Sequence, residues 1–259
     1  MPQGDIFDLR DKVAIVTGST RGIGRAIAER YAQRGAKVVI SSRDPAACEA
    51  TAKAIVGAGG QAIAIAAHIG HKDQLRALVD RTMEEWGRID VLVCSAGINP
   101  YYGPMSAISD EAFDKIINSN VRGTMWLANM ALPWMAKSGG GSAIFLSSVA
   151  GISGTSVLGG YAVSKTALIG LARSLAIEWG KFGIRVNCLA PGIVKTAFAK
   201  ALWENPKIAE ATIARTALRR LAEPDDVAGA AVFLATRAGA YVTGQTIVID
   251  GGMSIDAGM

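Results

Sequence analysis

At 259 residues, half of them apolar and 19% charged, the chain has the composition of an ordinary soluble globular protein, long enough to bury roughly three quarters of its unfolded surface. Its net charge of +5 is scattered along the whole length. No basic block, zinc-ligand spacing or basic run interleaved with aromatics occurs, which argues against nucleic acid as a partner and leaves the surplus as a mild attraction for a phosphorylated ligand.

Short β-branched runs alternate with longer Ala-rich segments of helical period. The first run, Lys12–Thr17, predicts a buried strand, and Gly18-Ser19-Thr20-Arg21-Gly22-Ile23-Gly24 follows it directly, opening a helix over Gly22–Arg34. Glycines in that position let the backbone turn sharply and approach a pyrophosphate at the helix N-terminus, where unpaired N–H groups carry partial positive charge. The spacing is Gly-x-x-x-Gly-x-Gly rather than the commoner Gly-x-Gly-x-x-Gly. A second strand, Lys37–Ser41, ends in Ser42-Arg43-Asp44-Pro45. An acidic side chain at this tip would accept from the adenosine ribose 2′-hydroxyl, whereas an arginine receives a 2′-phosphate. Asp44 before a proline reads as the N-cap of a helix over Pro45–Val56, which commits its carboxylate. Ser42 and Arg43, with Arg21 in the glycine turn, therefore favour NADP(H), and NAD(H) is the alternative if Asp44 reads the ribose.

Further strands are predicted at Ala62–Ala66, Val91–Cys94, Ser142–Ser147, Ile184–Leu189 and Thr246–Ile249, and further helices at Lys72–Trp86, Asp110–Ala136, Tyr161–Lys181 and Asp225–Ala235. Strands apolar on both faces and separated by helices specify an α/β fold, a Rossmann-type doubly wound parallel sheet with helices on both faces, as one domain over residues 1–259. Residues 196–220 have weak periodicity and form the candidate for a mobile lid. Tyr161-Ala-Val-Ser-Lys165 puts a phenol and an ammonium one helical turn apart on one face. A free tyrosine, with a pKa of about 10, is a poor proton donor or acceptor at neutral pH. A neighbouring cation favours phenolate and draws that pKa toward the range where general acid–base catalysis works.

The cysteines Cys48, Cys94 and Cys188 are odd in number and far apart, which fits free thiols in a reducing compartment. Met1–Ile6 has neither the basic start nor the apolar core of a signal peptide, and the uncharged stretch Ser138–Ser164 is too rich in glycine and serine for a membrane span. The expected location is the cytoplasm, without membrane association.

Thr17-Gly-Ser-Thr-Arg-Gly-Ile-Gly24 and Tyr161-x-x-x-Lys165 resemble the motifs of the short-chain dehydrogenase/reductase family, and the resemblance covers nearly the whole chain. Ser148 stands before the tyrosine at the family's usual interval. Asn120, in Asn118-Ser119-Asn120-Val121-Arg122-Gly123, matches the family's helix asparagine. Pro191-Gly192-Ile193-Val194-Lys195-Thr196 matches the segment that holds the nicotinamide end, and Gly244–Gly252 resembles the closing strand. Two places depart. The family's Asn-Asn-Ala-Gly after the fourth strand is Cys94-Ser95-Ala96-Gly97 here, and Ser95 is expected to bridge neighbouring strands with a shorter reach. The usual adenine-contacting aspartate is replaced by His68, followed by Ile69, with an adenine contact and a purely structural role both open. The Ser-Ser-Arg tip and the loop Asn99–Pro104 also resemble NADPH-dependent carbonyl and retinal reductases of peroxisomal type, although Asp256–Met259 lacks a small-basic-Leu ending.

The resemblance implies an oxidoreductase of ketones, aldehydes or secondary alcohols. In it Tyr161 is general acid or base, Lys165 depresses the tyrosine pKa and binds the nicotinamide ribose, Ser148 polarises the substrate oxygen, and Asn120 holds a water that links Lys165 to solvent. Ser95, Ala96, Gly97, Pro191, Gly192, Ile193 and Thr196 join the glycine turn in cofactor binding. No metal is required, and His68 and His71 lie too far from the motif to serve it. Tyr101, Tyr102, Met105, Ile152, Val157, Leu158, Phe198, Leu202 and Trp203 are candidate pocket residues, whose character suits a neutral or amphipathic carbonyl. The alternatives are a 3-oxoacyl thioester reductase, an NAD-dependent alcohol dehydrogenase of the same fold and, remotely, a non-catalytic dinucleotide sensor. Apolar positions in excess on the Asp110–Ala136 and Tyr161–Lys181 helices, together with the family's helix pairing, lead to an expected homotetramer.

Overall fold

Every residue of the first strand is buried, so it needs an apolar layer on each face, and helices supply both. The computed structural model describes residues 4–255. Its elements run β1 (Val13–Thr17), α1 (Gly22–Gln33), β2 (Lys37–Ser41), α2 (Pro45–Gly57), β3 (Gln61–Ala64), α3 (Lys72–Trp86), β4 (Val91–Cys94), α4 (Asp110–Ile117), α5 (Gly123–Lys137), β5 (Gly141–Leu146), α6 (Gly159–Trp179), β6 (Ile184–Pro191), α7 (Lys200–Trp203), α8 (Pro206–Arg215), α9 (Pro224–Ala235) and β7 (Thr246–Ile249). Alternation along β1 shows how the layers form. Ile15 joins Leu75, Leu127, Phe145 and Leu168 on the face covered by α3, α5 and α6. Ala14 and Val16 join Ile27, Tyr31, Ile55 and Val227 on the face covered by α1, α2 and α9. Buried Tyr31 donates its hydroxyl to the Ala231 carbonyl at 3.0 Å, which satisfies the polar tip inside this layer.

The seven strands are all parallel in the order β3-β2-β1-β4-β5-β6-β7, the doubly wound arrangement the alternating pattern specifies. The order reverses between β1 and β4, and loops from their carboxyl ends leave in opposite directions. That opens a crevice where ligands bind in such sheets.

Two segments differ from the sequence-based expectation. The helix expected over Asp110–Ala136 is broken by a π-helical turn, Asn118–Arg122, which separates α4 from α5. This wider turn buries Ser119 and Asn120, a rotation that an apolar-periodicity reading is too coarse to detect. Residues 196–220 hold two short helices, α7 and α8, neither with a buried residue, which is why the segment shows little apolar period. Among the described residues no helix is long and apolar enough to cross a membrane. Met1–Gln3 and Asp256–Met259, on which part of the expected location rested, lie outside the described residues.

Candidate active site

The loop between β1 and α1 is shaped by close approach. Gly18 has φ +68°, and a Cβ there would sit 2.9 Å from the Ala96 nitrogen, so only glycine lets the turn press against the loop after β4. Ser19 pins the turn from beneath. Its Oγ donates to the Val16 carbonyl (2.7 Å) and accepts from the Ser41 N–H (2.9 Å). Arg21, the residue before α1, offers no side-chain cap, which leaves the first N–H groups of the helix without a side-chain partner and facing the crevice mouth.

A cavity of about 750 Å³ runs from this turn to Tyr161. At one end its wall includes Arg21, Ser42, Arg43, Asp44, His68, Ile69 and Lys115. The Asp44 carboxylate accepts from the Ala46 and Ala47 N–H groups at 3.0 and 3.2 Å, so it is committed to capping α2. Among the described residues Arg21, Arg43 and Lys115 take part in no ion pair. His68 Nδ1 accepts from the Gly70 N–H at 3.1 Å, which leaves its proton on Nε2. Burial holds its pKa below the usual histidine range, and the charges of His71, Arg43 and Lys115 act in the same direction. Lys115 is a wall residue that the sequence reading missed. It has no motif to mark it and reaches the cavity only because the crossover helix α4 passes there.

At the other end Lys165 is buried, and its Nζ donates to the Leu146 carbonyl at 2.7 Å while standing 5.3 Å from the Tyr161 ring centroid. Burial lowers the Lys165 pKa to about 8. Burial raises the Tyr161 phenol to about 12, opposed by a hydrogen bond with Ser148. The expected pull of Lys165 on the phenol is therefore corrected. In the free protein, loss of water dominates both groups, and the ammonium is directed at a carbonyl. Gly97 closes this end, where a Cβ would lie 3.3 Å from Lys165 Nζ and 3.4 Å from Asn120 Oδ1. Its missing side chain keeps open the space a nicotinamide ribose would need, and with the uncapped helix terminus and the unpaired cations it shows that these residues fit a dinucleotide.

Asn120 acts as a clamp. Its Oδ1 accepts from the Ile98 N–H (2.8 Å), and its Nδ2 donates to the Ile98 carbonyl and to Ser164 Oγ (both 3.0 Å). Ser164 in turn donates to the Tyr161 carbonyl at 2.7 Å, so the loop after β4 is tied to α6. Both amide protons are used, and one lone pair on Oδ1 is what the side chain retains for the expected water. The strand bridge expected of Ser95 is made instead by Thr17. Its Oγ1 donates to the Val93 carbonyl (3.3 Å) and accepts from the Ser95 and Ala96 N–H groups (3.2 and 3.3 Å). A hydroxyl residue ending the first strand was the available signal.

Of the remaining expected cofactor residues, Gly18, Thr20, Ile23, Gly24, Ser95, Ala96, Pro191 and Thr196 line the cavity, whereas Ser19, Gly22, Gly192 and Ile193 do not. Gly192 packs on Asp250, and Ile193 faces a smaller cavity beside Thr216 and Asp250. Ser148 also lies outside the wall, with its Oγ accepting from the Ala150 N–H at 3.1 Å. Of the pocket candidates only Phe198 lines the cavity, with its ring 6.0 Å from that of Tyr161. Tyr101, Tyr102, Ile152, Leu158 and Leu202 lie off the wall, as do Met105, Val157 and Trp203. Tyr101 donates to the Pro104 carbonyl, and Gly103 pairs with the backbone at Val157 and Leu158, so that rim is tied to itself. Ile98, Asn99, Pro100 and Ala197 line the cavity besides Phe198.

Comparison with known proteins places this geometry. The family model described as enoyl-(acyl carrier protein) reductase matches residues 18–254. Dehydrogenase/reductase SDR family member 4 of the rabbit, Oryctolagus cuniculus, is 43% identical over 244 residues, 94% of each chain. The structure of a gluconate 5-dehydrogenase from Burkholderia cenocepacia in complex with NADP and tartrate is similar with a TM-score of 0.93 at 31% identity, over 97% of this chain and 98% of that one. A 7α-hydroxysteroid dehydrogenase complexed with NADH and 7-oxo glycochenodeoxycholic acid is similar with a TM-score of 0.93 at 34% identity, over 97% and 98%.

Proposed function

The chain belongs to the short-chain dehydrogenase/reductase family, and from that premise we propose that it is an NADP(H)-dependent carbonyl reductase whose proton donor is Tyr161. As an oxidoreductase of this family it acts on alcohol or carbonyl groups with a nicotinamide dinucleotide. The observation that carries the finer reading is one cavity with two unlike ends, unpaired cations at one and the Tyr161–Lys165 pair at the other.

The glycine turn and the N-terminus of α1 would hold the pyrophosphate, and Ser42, Arg43 and Arg21 the 2′-phosphate. Gly97, Pro191, Thr196 and Lys165 would hold the nicotinamide half. When bound, that cofactor supplies the hydride for reduction and receives it in oxidation. Tyr161 hands its phenolic proton to the substrate oxygen, which develops negative charge as the carbonyl is reduced. With a pKa of about 12 the phenol is protonated throughout the neutral range, as a donor must be. Ser148 donates to the same oxygen. Lys165 offers its remaining protons to the ribose and restores the phenol by way of the Asn120 turn. Residues 196–220 close over the cavity as a lid, within which Trp203 Nε1 donates to the Thr196 carbonyl at 2.8 Å.

Association into a homotetramer belongs to the same reading. Along α6 and just after it, Val163, Ile177 and Phe182 are exposed, Ile177 by 87%, and a second copy would cover them. Light scattering at micromolar concentration tests this, and a monomeric mass would refute it. The function itself is tested by a panel of ketones, aldehydes and secondary alcohols with NADPH and NADH, followed through nicotinamide absorbance. Turnover of carbonyls with NADPH is expected, and none with either cofactor would leave a sensor in its place.

A further inference from the structure

Among the described residues the wall of the large cavity carries a single carboxylate, Asp44, and that one is committed to the Ala46 and Ala47 N–H groups. The wall therefore offers a ligand no free carboxylate, the side chain that can only accept a hydrogen bond. Beside Asp44 stand the donors Arg21, Arg43 and Lys115, the hydroxyls of Ser42 and Ser119, and His68. A hydroxyl donates or accepts as its partner requires. His68 is the group whose polarity the structure fixes without giving it a charge.

The His68 ring is pinned on one side. Its Nδ1 accepts from the Gly70 N–H at 3.1 Å, its own backbone N–H donates to Gln74 Oε1 at 2.8 Å, and the His71 ring meets it edge-on with centroids 4.8 Å apart. A Cβ on Gly70 would lie 3.2 Å from Nδ1 and Cε1, so glycine is what lets the loop close on the ring. Burial and the charges of His71, Arg43 and Lys115 hold the ring below the usual histidine pKa, which keeps it neutral with Nδ1 an acceptor. The proton is then on Nε2. That nitrogen has no hydrogen-bond partner among the described residues. Yet the buried unpartnered atoms belong to Ser41, Asn99 and Trp179, so Nε2 keeps accessible surface. Arg43 and Lys115 stand close enough for their charges to act on the ring, and Arg43 is the residue assigned above to the 2′-phosphate. Phosphate and base hang on one ribose, which brings the base to this same end of the cavity, beside the apolar Ala67 and Ile69.

From this, and resting on the NADP(H) reading above, we infer that His68 is a specificity-determining residue whose Nε2–H donates to an acceptor on the edge of the cofactor's base. The ligand class is then purine dinucleotides in which the 6-position carries either an amine or a carbonyl oxygen. A carboxylate at this place would accept from the 6-amino group of adenine and reject hypoxanthine, which has a carbonyl there. A site built around an N–H of its ligand discriminates strongly against the analogue lacking it. A donor behaves differently. Adenine offers it ring nitrogens, and hypoxanthine offers it a ring nitrogen and the 6-oxygen, so both are bound. Ser119 does not restore the choice. The same Gly70 Cβ position is 3.9 Å from its Oγ, which puts the hydroxyl beside His68, but a hydroxyl serves amine and carbonyl alike.

The test measures Kd by calorimetry for NADP and for nicotinamide hypoxanthine dinucleotide phosphate, with the full-length protein and the variants His68→Leu and His68→Gln. In the wild type the two Kd values should agree within about threefold. His68→Leu should weaken both by about fivefold, the effect of one lost hydrogen bond. His68→Gln keeps a terminal N–H at the place of Nε2 and should hold both within about twofold of wild type. Leu and Gln alike lose the Nδ1 bond to Gly70, so the difference between them isolates the donor. A wild-type preference for adenine above threefold overturns the inference, because an acceptor would then be reading the amine. Unchanged affinities in His68→Leu overturn it, since His68 would not touch the base. Equal losses in Leu and Gln overturn it too, since the bond to Gly70 would then be what counts. Binding of neither dinucleotide would overturn the NADP(H) reading together with this one. Binding without carbonyl turnover would overturn the catalytic reading alone, and the Kd values would still decide for or against His68.

Discussion

At the end of the cavity proposed for the adenosine the cations Arg21, Arg43 and Lys115 are exposed and, among the described residues, stand in no ion pair, whereas at the end proposed for the chemistry Lys165 is buried and aimed at a carbonyl. An exposed cation is cheap to keep charged and attracts a phosphate through water, but salt screens that attraction. A buried one is held at a cost, visible in the Lys165 pKa of about 8, and the same lack of water sharpens every interaction with a reacting group. Recognition and chemistry thus use the same residue types in opposite environments. Changes at the reactive end should be large and insensitive to salt, and changes at the adenosine end smaller and sensitive to it.

The largest effect belongs to Tyr161→Phe. The ring stays and keeps its packing 6.0 Å from Phe198, but the proposed proton donor is gone. Removal of a positioned acid costs on the order of 10²-fold or more in kcat. NADPH affinity, measured by fluorescence titration, should change little. Near-normal turnover on any good carbonyl would show that another group supplies the proton.

Second in size is the cofactor preference. A charge-assisted bond to a phosphate is worth roughly 1.5–3 kcal/mol, so Arg43 should favour NADPH over NADH by about ten- to a hundredfold in kcat/KM. Ser42→Asp combined with Arg43→Leu should reverse the preference, by adding an acceptor for the ribose hydroxyl and removing the phosphate's partner. Raising salt should erode the wild-type preference, whereas the Tyr161→Phe defect should persist at all ionic strengths. Equal use of both cofactors at low salt would move the ribose-reading role to another residue.

These two predictions rest on features readable in the sequence, because each is local. The glycine turn, the Ser42-Arg43 tip, the Asp44 cap and the Tyr161–Lys165 spacing are set by residues a few positions apart. What escaped the sequence depends on distant segments meeting. Thr17 replaces Ser95 as the strand bridge because β1 and β4 are neighbours in the sheet. Lys115 reaches the cavity through the path of α4, and Asn99 through the clamp of Asn120 in a π turn. The apolar pocket expected from Tyr101, Tyr102, Ile152, Leu158 and Leu202 failed to appear on the wall for a related reason. Tyr102 and Ile152 are exposed and the other three half-buried, so their apolar character did not mark residues that leave water. The pull of Lys165 on Tyr161 was read from spacing and resemblance, and neither carries information about burial in the free protein.

The third prediction turns the cost of burying Lys165 into a measurement. The folded-state pKa of about 8 lies below the ordinary 10.5, so between those values the unfolded chain binds the proton that the fold has released. The penalty for the buried charge is therefore fully present below about pH 8 and is relieved as pH rises toward 10.5. Lys165→Met removes that titration. Its stability relative to wild type, from urea midpoints, should decline with rising pH across this window at up to about 1.4 kcal/mol per unit. Taking the difference between the two proteins cancels Cys94, Cys188 and Tyr161, which burial raises and which oppose the trend in each. A difference that stays constant with pH would mean that Lys165 is solvated in the free protein.

The smallest effect, and the one that separates structure from recognition at the adenosine end, is Asp44→Ala. Its carboxylate accepts from the first two free N–H groups of α2, and Pro45 sits in the first turn behind it, so the residue serves the helix. Loss of such a cap costs about 1 kcal/mol, readable as a lower urea midpoint with unchanged slope. Because the carboxylate is occupied, NADH turnover should be retained. Removing a negative charge beside Arg43 should, if anything, move the balance slightly toward NADPH and steepen its salt dependence. A selective loss of NADH turnover with intact stability would show the opposite division of labour, with Asp44 holding the ribose hydroxyl and α2 starting without its help. The two outcomes differ in stability, lowered in one and intact in the other, and in whether NADH turnover itself is lost, so a small effect still decides between them.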